Sequence, residues 1–291
     1  VFAELEAIAN DPALKSFKQR TAVLNKLKSV LEAGRSVIRA RFEESNSGQD
    51  TVFSNSFLMD QIVRLIHDFA TTFVYPLHNP TNEQRMSVVA VGGYGRGDMA
   101  PHSDVDILFL FPYKQTAHGE QVVEFILYML WDLGLKVGHA TRSVDDCLRM
   151  GKQDITIRTN LLESRFVWGD EETYKLFRTR FMEELVKGSG IEFIEKKLGE
   201  RDERHTRMGD SRYVVEPNVK DGKGGLRDLH TLFWIGKYLY RVNSPMELVD
   251  LKVLTRKEAR GFLKAQNFLW AVRCWLHYLS DREEDRLTFD M

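Results

Sequence analysis

The chain has 291 residues, 43% hydrophobic and 29% charged, the balance of an ordinary folded protein of one large domain or two to three small ones. Its 41 Lys and Arg nearly cancel its 42 Asp and Glu, so no global positive field exists to hold a long nucleic acid. No apolar run reaches membrane-spanning length and no signal peptide is visible, so the expectation is a cytoplasmic protein that binds neither nucleic acid nor membrane.

In chain order, residues 12–44 predict a helix, with Leu24, Leu27, Val30 and Leu31 at helical spacing among charged residues. Residues 45–54 read as a polar loop, and 55–75 as a second helix carrying Leu58, Ile62, Leu65, Ile66 and Phe69 on one side. Pro76 and Pro80 then break the chain. Ser87–Val91 is a short buried strand, followed by the glycine-rich turn Gly92–Gly97 and a second strand, Val105–Phe111. Residues 119–133 form an amphipathic helix, Leu135–Thr141 a third strand, and 143–152 a short helix with Ser143 as N-cap. Leu161–Trp168 is expected as a fourth strand. From 171 onward the pattern is helical, interrupted by glycines at 221–225, with a last helix over 256–280. The fold class is therefore α+β: a small mixed β-sheet, residues 85–170, flanked by an N-terminal helical region (1–84) and a C-terminal one (171–291). Cys147 and Cys274 belong to no CxxC pair and read as buried, reduced thiols. The chain opens on Val1 and closes on Asp290-Met291 just after a charged stretch, which reads as a piece of something longer.

The informative stretch is VVAVGGYGRGDMAPHSDVDILFLF, residues 88–111. On a strand, side chains at i and i+2 share a face with their Cα atoms roughly 6.5 to 7 Å apart. Asp104 and Asp106 so placed can bracket two Mg²⁺ ions, whose preference is for hard oxygen ligands and substrate phosphates. Val105 and Ile107 point the other way, into the core. Gly92 and Gly93 follow a strand and let backbone N–H groups approach phosphates, with Arg96 and Ser103 as further nucleotide contacts. A Walker A loop is excluded because no Gly-Lys-Ser or Gly-Lys-Thr occurs, and a dinucleotide fingerprint fails because Asp98 stands where its last glycine belongs. The competing reading is a turn with two solvated acids at a strand start.

The run Val91-Gly92-Gly93 to Ser103-Asp104-Val105-Asp106-Ile107-Leu108 resembles the signature of the nucleotidyltransferase superfamily that includes DNA polymerase β. The longer blocks GGYGRGD, PHSDVDILFL, GLKVGHATRSV, LLESRFVWGD, EPNVKDGKGGLRDLHTLFW and LHYLSDREEDRLTFD resemble the bacterial PII-protein uridylyltransferase/uridylyl-removing family. That resemblance implies an enzyme that moves UMP from UTP to a tyrosine hydroxyl of the PII signalling protein and releases pyrophosphate. It implies two Mg²⁺ (or Mn²⁺) ions, with Asp104 and Asp106 matching the metal ligands. The full family adds a metal-dependent hydrolase domain and glutamine-sensing domains. His67-Asp68 lies in the first helical region and does not supply the hydrolase motif, so both functions are expected to be absent from this piece.

Glu163 is the candidate third catalytic carboxylate, with Asp98 and Asp154 as rivals. On a strand it would share a face with Arg165, and an ion pair between them is the alternative. His139 lies on the third strand, where a substrate contact is the alternative to a favoured structural role, and Arg142, just after that strand, either approaches phosphate or is solvated. Residues 217–228 combine three glycines with Lys220, Lys223 and Arg227 and run into a helix, so free N–H groups and cations point the same way, as a nucleotide site requires. A flexible linker would explain the glycines alone. The charge run 281–286 reads as a solvated loop, and Phe268, Trp270, Trp275 and Tyr278 as helix core. The rival functions are nucleotidyl transfer to another protein or small-molecule acceptor, and a non-catalytic nucleotide-binding regulatory module.

Overall fold

A computed structural model describes residues 1–12, 14, 16–77, 81–209 and 213–290, so Pro80 and residues 13 and 15 of the first expected helix lie outside it. The chain begins with helices α1 (Phe2–Ala9), α2 (Ser16–Ser45) and α3 (Gly48–Phe69). The polar loop expected over 45–54 shrinks to two residues. Ser47 caps α3, its side chain accepting from the Asp50 N–H, and the polar triplet Gly48-Gln49-Asp50 is the first helical turn. A tertiary contact explains this, because the Gln49 N–H donates to the Asn267 side chain at 2.9 Å and Gly48 lies flat against the backbone at Trp270–Ala271. Local polarity suggested a loop, and packing against the last helix made it a turn of helix.

The sheet holds β1 (Ser87–Ala90), β2 (Val105–Phe111), β3 (Val137–Ser143) and β4 (Arg165–Gly169) in the order β3-β2-β1-β4. β1 runs antiparallel to both neighbours, whereas β2 and β3 are parallel, joined by the crossover helix α5 (Ala117–Asp132), so the sheet is mixed as expected. Between β1 and β2 lies the one-turn helix α4 (Gly92–Arg96). α6 (Val144–Gln153) follows β3, with the Ser143 hydroxyl accepting from the Asp146 N–H at 3.1 Å, the cap the sequence indicated.

The fourth strand starts later than expected. Residues Ile155–Leu162 form helix α7, capped by Asp154, whose carboxylate accepts from the N–H groups of Thr156 (2.7 Å) and Ile157 (3.0 Å). Leu161 and Leu162 are buried at the end of this helix, and β4 begins only at Arg165. A short apolar run does not reveal whether it is buried as strand or helix, and here the upstream cap decided. Among the described residues, the remaining α-helices are α8 (Glu171–Phe181), α9 (Gly190–Arg207), α10 (Leu226–Tyr240), α11 (Glu247–Asp250) and α12 (Arg256–Ser280).

Both faces of the sheet are covered, which is why β2 reads as an unbroken apolar run after its acids. Val105, Ile107, Phe109 and Phe111 pack with α1, α2, α3 and α5, while Leu108 and Leu110 pack with α6, α7, α8 and the Trp234 face of α10. A third cluster of Phe42, Val52, Ala100, Leu226, Trp270 and Cys274 ties α2, α3, α10 and α12 together beneath the loop that enters β2. Both cysteines are buried free thiols, and burial pushes each up to about 12. Phe268 departs from the expected helix core, since it stands 65% exposed on α12.

Two helical glycines should respond oppositely to alanine. Gly261 in α12 faces open space, so Gly261→Ala is expected to stabilise the fold by about 0.5–1 kcal/mol through helix propensity. Gly48 has no room for a Cβ, so Gly48→Ala should destabilise by about 1–3 kcal/mol through overpacking. Urea midpoints of the two variants check the pair. A stabilised Gly48→Ala would remove the packing explanation for the early start of α3.

Candidate active site

β2 and the α4 turn place the two acids. The Val105 N–H donates to the Lys136 carbonyl at 2.8 Å, so the ladder with β3 is already engaged beside Asp104. Val105 and Ile107 are buried on one face, and Asp104 and Asp106 project from the other, the face of Leu108 and Leu110. Asp104 is exposed and Asp106 half-buried. The Asp106 carboxylate lies in a notch between two glycines. A Cβ on Gly92, whose φ is +58°, would come within 3.0 Å of Oδ2, and a Cβ on Gly138, the β3 residue opposite Asp106, would collide with Oδ1. Burial, and then the neighbouring Asp104, push Asp106 above the usual carboxylate range, while Arg96 and Lys220 pull it back.

These acids open onto a cavity of about 730 Å³. Of the residues singled out by sequence, it is bordered by Gly92, Gly93, Arg96, Asp98, Ser103, Asp104, Asp106, Lys220, Arg227 and Trp270. Lys223 and Glu163 do not border it. Lys223 borders a neighbouring cleft between α9 and α10, with Arg201, His205 and Asp228.

Glu163 is not on a strand. It is the C-cap of α7, 1% exposed, with its carboxylate 3.5 Å from Arg96 Nε and 3.3 Å from Lys237 Nζ. The alternating-face argument that paired it with Arg165 therefore does not apply. Arg165 instead forms a two-pronged bond to Asp60 on α3, at 2.7 and 3.1 Å. Arg96 is held from a second side by Asp98 at 3.1 Å and lies over the Trp234 ring at 5.8 Å. Burial pushes Asp98 up, and Arg96 and Gln49 hold it down. Asp154 spends its carboxylate on the N-terminus of α7. Among the described residues, no three His, Cys, Asp or Glu side chains are grouped to hold a metal. The donor set is thus two hard carboxylates on one face with room for phosphate beside them, which fits a Mg²⁺-type ion completed by substrate oxygens.

The glycine loop before α10 differs from expectation in its backbone. Its N–H groups are not free, since Gly222 donates to Asn218 O, Leu226 to Val219 O, Arg227 to Lys220 O, and Gly224 to the Asp228 carboxylate. Asn218 further pins the turn by accepting from the N–H groups of Lys220 (3.0 Å) and Asp221 (2.7 Å). What the loop offers the cavity is side chains: Lys220, Asp221 and Arg227. The charge run 281–286 is likewise not a free loop. Val219 N donates to Asp285 O at 2.8 Å, Leu287 N to Pro217 O at 3.0 Å, and Asn218 pairs with Arg286 as an antiparallel bridge.

Several cavity residues lay outside the sequence reading. α9 brings Lys197, Arg204 and Arg207, α7 brings Asn160, α10 brings His230 and Trp234, and α12 brings Arg273. Lys197 lies 4.6 Å over the Trp234 ring, where Arg96 and Arg227 also gather at 5.8 Å. Burial lowers the Lys197 amine, and Glu200 opposes that shift. Burial, then the surrounding Arg96, Arg227, Arg273 and Lys220, hold His230 well below the usual histidine range, so its ring is neutral. In sequence, α9 is only a highly charged helix, and nothing marks which of its cations turn inward. His139 lies on the edge strand opposite Ile107, on the face away from Asp106, with its ring against Trp131 at 6.0 Å. Arg142 borders a smaller cleft that shares Asp106 and Asn160 with the main cavity.

Residues 80–162 match the family described as Nucleotidyltransferase domain, and residues 192–291 match GlnD PII-uridylyltransferase. The chain is 58% identical over 274 residues to a bifunctional uridylyltransferase/uridylyl-removing enzyme of Azospirillum brasilense, covering 94% of this chain and 29% of that protein. To the protein of the same name from Rhodospirillum rubrum it is 58% identical over 275 residues, again 94% of this chain and 29% of the relative. To that of Novosphingobium aromaticivorans it is 53% identical over 287 residues, 98% of this chain and 32% of the relative. The chain thus spans about a third of the length of these curated relatives. Along that span the chain matches a nucleotidyltransferase domain followed by GlnD PII-uridylyltransferase, and it is similar to the bacterial bifunctional uridylyltransferase/uridylyl-removing enzymes.

Proposed function

We propose that this chain transfers UMP from UTP to a tyrosine hydroxyl of the PII nitrogen-signalling protein. The bond from the tyrosine oxygen to the α-phosphorus forms, the α–β phosphoanhydride bond breaks, and pyrophosphate leaves with the tyrosine proton passing to solvent or a nearby base. The observation that carries this reading is the convergence of Asp104 and Asp106 with Arg96, Lys220 and Arg227 on one cavity of about 730 Å³. The matched family and the names of relatives supply the uridylyl group and the PII acceptor.

In this reading Asp104 and Asp106 hold two Mg²⁺ (or Mn²⁺) ions, which would neutralise phosphate charge and ease deprotonation of the acceptor. Gly92 and Gly93 let the substrate's phosphates approach the backbone beside the acids. Arg96, Lys220 and Arg227 offset the charge that develops on the leaving pyrophosphate, and being fixed beforehand they reorganise little during reaction. Glu163 serves as the anchor of Arg96 rather than as a third metal ligand. Residues 85–170 act as the nucleotidyltransferase domain, 1–84 as its helical support, and 171–291 as the helical part that completes the nucleotide site. Lys223, set in the neighbouring cleft, is left out of the site.

Asp106→Asn and Asp104→Asn should each lower transfer on the order of 10²–10³-fold while the far-UV circular dichroism stays that of the parent. Labelling by each of the four α-labelled triphosphates, with PII as acceptor, checks the reading. Equal labelling by all four, or none with PII, would count against uridylyl transfer and leave another acceptor or a non-catalytic nucleotide-binding module.

The same carboxylates make a stability prediction. A folded-state pKa raised above the unfolded one means that ionising Asp106 favours unfolding, so its stabilising contribution is present at acid pH and lost as pH rises through the folded value. Asp106→Asn is therefore expected to raise the metal-free melting temperature at pH 7 and to abolish the further rise that Mg²⁺ produces in the parent. Differential scanning fluorimetry with and without Mg²⁺ reads both effects.

Gly138→Ala should displace the Asp106 carboxylate and lower kcat at least about tenfold without touching substrate. A variant with parental kcat would show that the notch does not set the position of Asp106.

A further inference from the structure

The strap of residues 281–287 contains the charge run expected to be solvated, yet its Glu283 and Asp285 face the cations Lys220 and Arg273. Asp285 is the centre of the arrangement. Its carboxylate lies 2.6 Å from Arg273 Nε, 3.3 Å from Lys220 Nζ and 3.5 Å from His277 Nε2. Glu283 adds a second anion, 3.2 Å from Lys220 Nζ and 3.4 Å from Arg273 Nη2. His277 is fully buried, and its Nδ1 accepts from the His102 N–H at 3.2 Å. Since Nδ1 accepts, the neutral ring carries its proton on Nε2, the atom facing Asp285. One carboxylate thus touches the glycine loop through Lys220 and, through His277, the turn His102-Ser103-Asp104 that enters β2.

The main chain holds the strap in register. Val219 N donates to Asp285 O on one side and Leu287 N to Pro217 O on the other, so the strap and the loop before Lys220 form a short antiparallel pair. Burial alone would push Asp285 up, but His277, Arg273 and Lys220 outweigh it and hold its carboxyl far below the usual range, so it is an anion under all ordinary conditions. An exposed lysine on a glycine loop would sample many rotamers at a cost of up to about 2 kcal/mol on ordering. Lys220, tethered by two anions, is ordered beforehand.

From this geometry we infer that Asp285 is a positioning residue for nucleotidyl transfer, aiming Lys220 at the substrate's phosphates and steadying the turn that carries Asp104. The inference rests on the nucleotide reading of the cavity. Asp285 touches no reacting atom; it acts through Lys220 and His277.

The test measures KM for UTP and kcat with PII in the 291-residue chain, together with binding of a nonhydrolysable UTP analogue with Mg²⁺ by calorimetry. Asp285→Asn keeps the shape and removes the charge. It should raise KM and the analogue's Kd about tenfold or more, the loss that follows when a charge-assisted contact of roughly 1.5 kcal/mol is forfeited. Lys220→Met should do the same. Combining the two substitutions should add little to either, because both remove one interaction. Asp285→Glu should recover part of the loss, and Glu284→Ala, on the same strap but bonded to Arg282 and the Arg286 N–H rather than, among the described residues, to a cavity cation, should match the parent. If Asp285→Asn does not fold, Glu283→Gln carries the test with a smaller rise in KM. Parental KM in a folded Asp285→Asn or Glu283→Gln chain, or full additivity with Lys220→Met, overturns the inference. A parent chain that transfers no nucleotide instead overturns the reading beneath it.

Discussion

A carboxylate held half out of water beside a second acid, Asp106 next to Asp104, is the constraint around which this molecule is arranged. Such a charge is costly unless a cation or hydrogen bonds offset it. The chain keeps it in place by shape, with Gly92 and Gly138 leaving a slot that any side chain would fill. It offsets part of the cost with Arg96, just upstream of β2, and Lys220, far downstream of it. In the proposed function, the remainder is what would give a divalent cation its affinity for the site.

The cations that face those acids are themselves fixed. Arg96 is gripped by Asp98 and Glu163, Lys220 by Glu283 and Asp285, and Arg227 by Asp221, while Trp234 offers its ring to Arg96, Lys197 and Arg227. This pairing makes the cavity nearly neutral without substrate and lets many buried charges coexist. It also fixes the positive groups in advance, which is the property that lowers reorganisation during phosphoryl chemistry. The helices beyond the sheet therefore belong to the site as much as the sheet does.

Much of the fold was legible because the relevant physics is local. β2 spans the residues its apolar run indicated, and α6 starts where Ser143 caps it. Two segments with a misread backbone conformation share a cause. At 45–54 a polar stretch became helix because α12 receives Gly48 and Gln49, and at 161–162 an apolar pair ended a helix because Asp154 had started one upstream. In both places, local composition suits two conformations and a contact elsewhere selects one. The misplacement of Glu163 follows directly, since a residue at a helix end obeys no strand alternation.

By itself, the sequence determined the Asp104–Asp106 spacing, the glycine turn before it, the apolar tail of β2 and the mixed character of the sheet, all set by side-chain period and turn chemistry within a few residues. Only the tertiary structure decided the partners of the charges. Lys220 finds Glu283 63 residues away, Lys237 finds Glu163 74 residues away, and Arg165 finds Asp60 105 residues away. Charge pairing depends on distance through space, and no local pattern encodes which of 41 cations will meet which of 42 acids once the helices have packed.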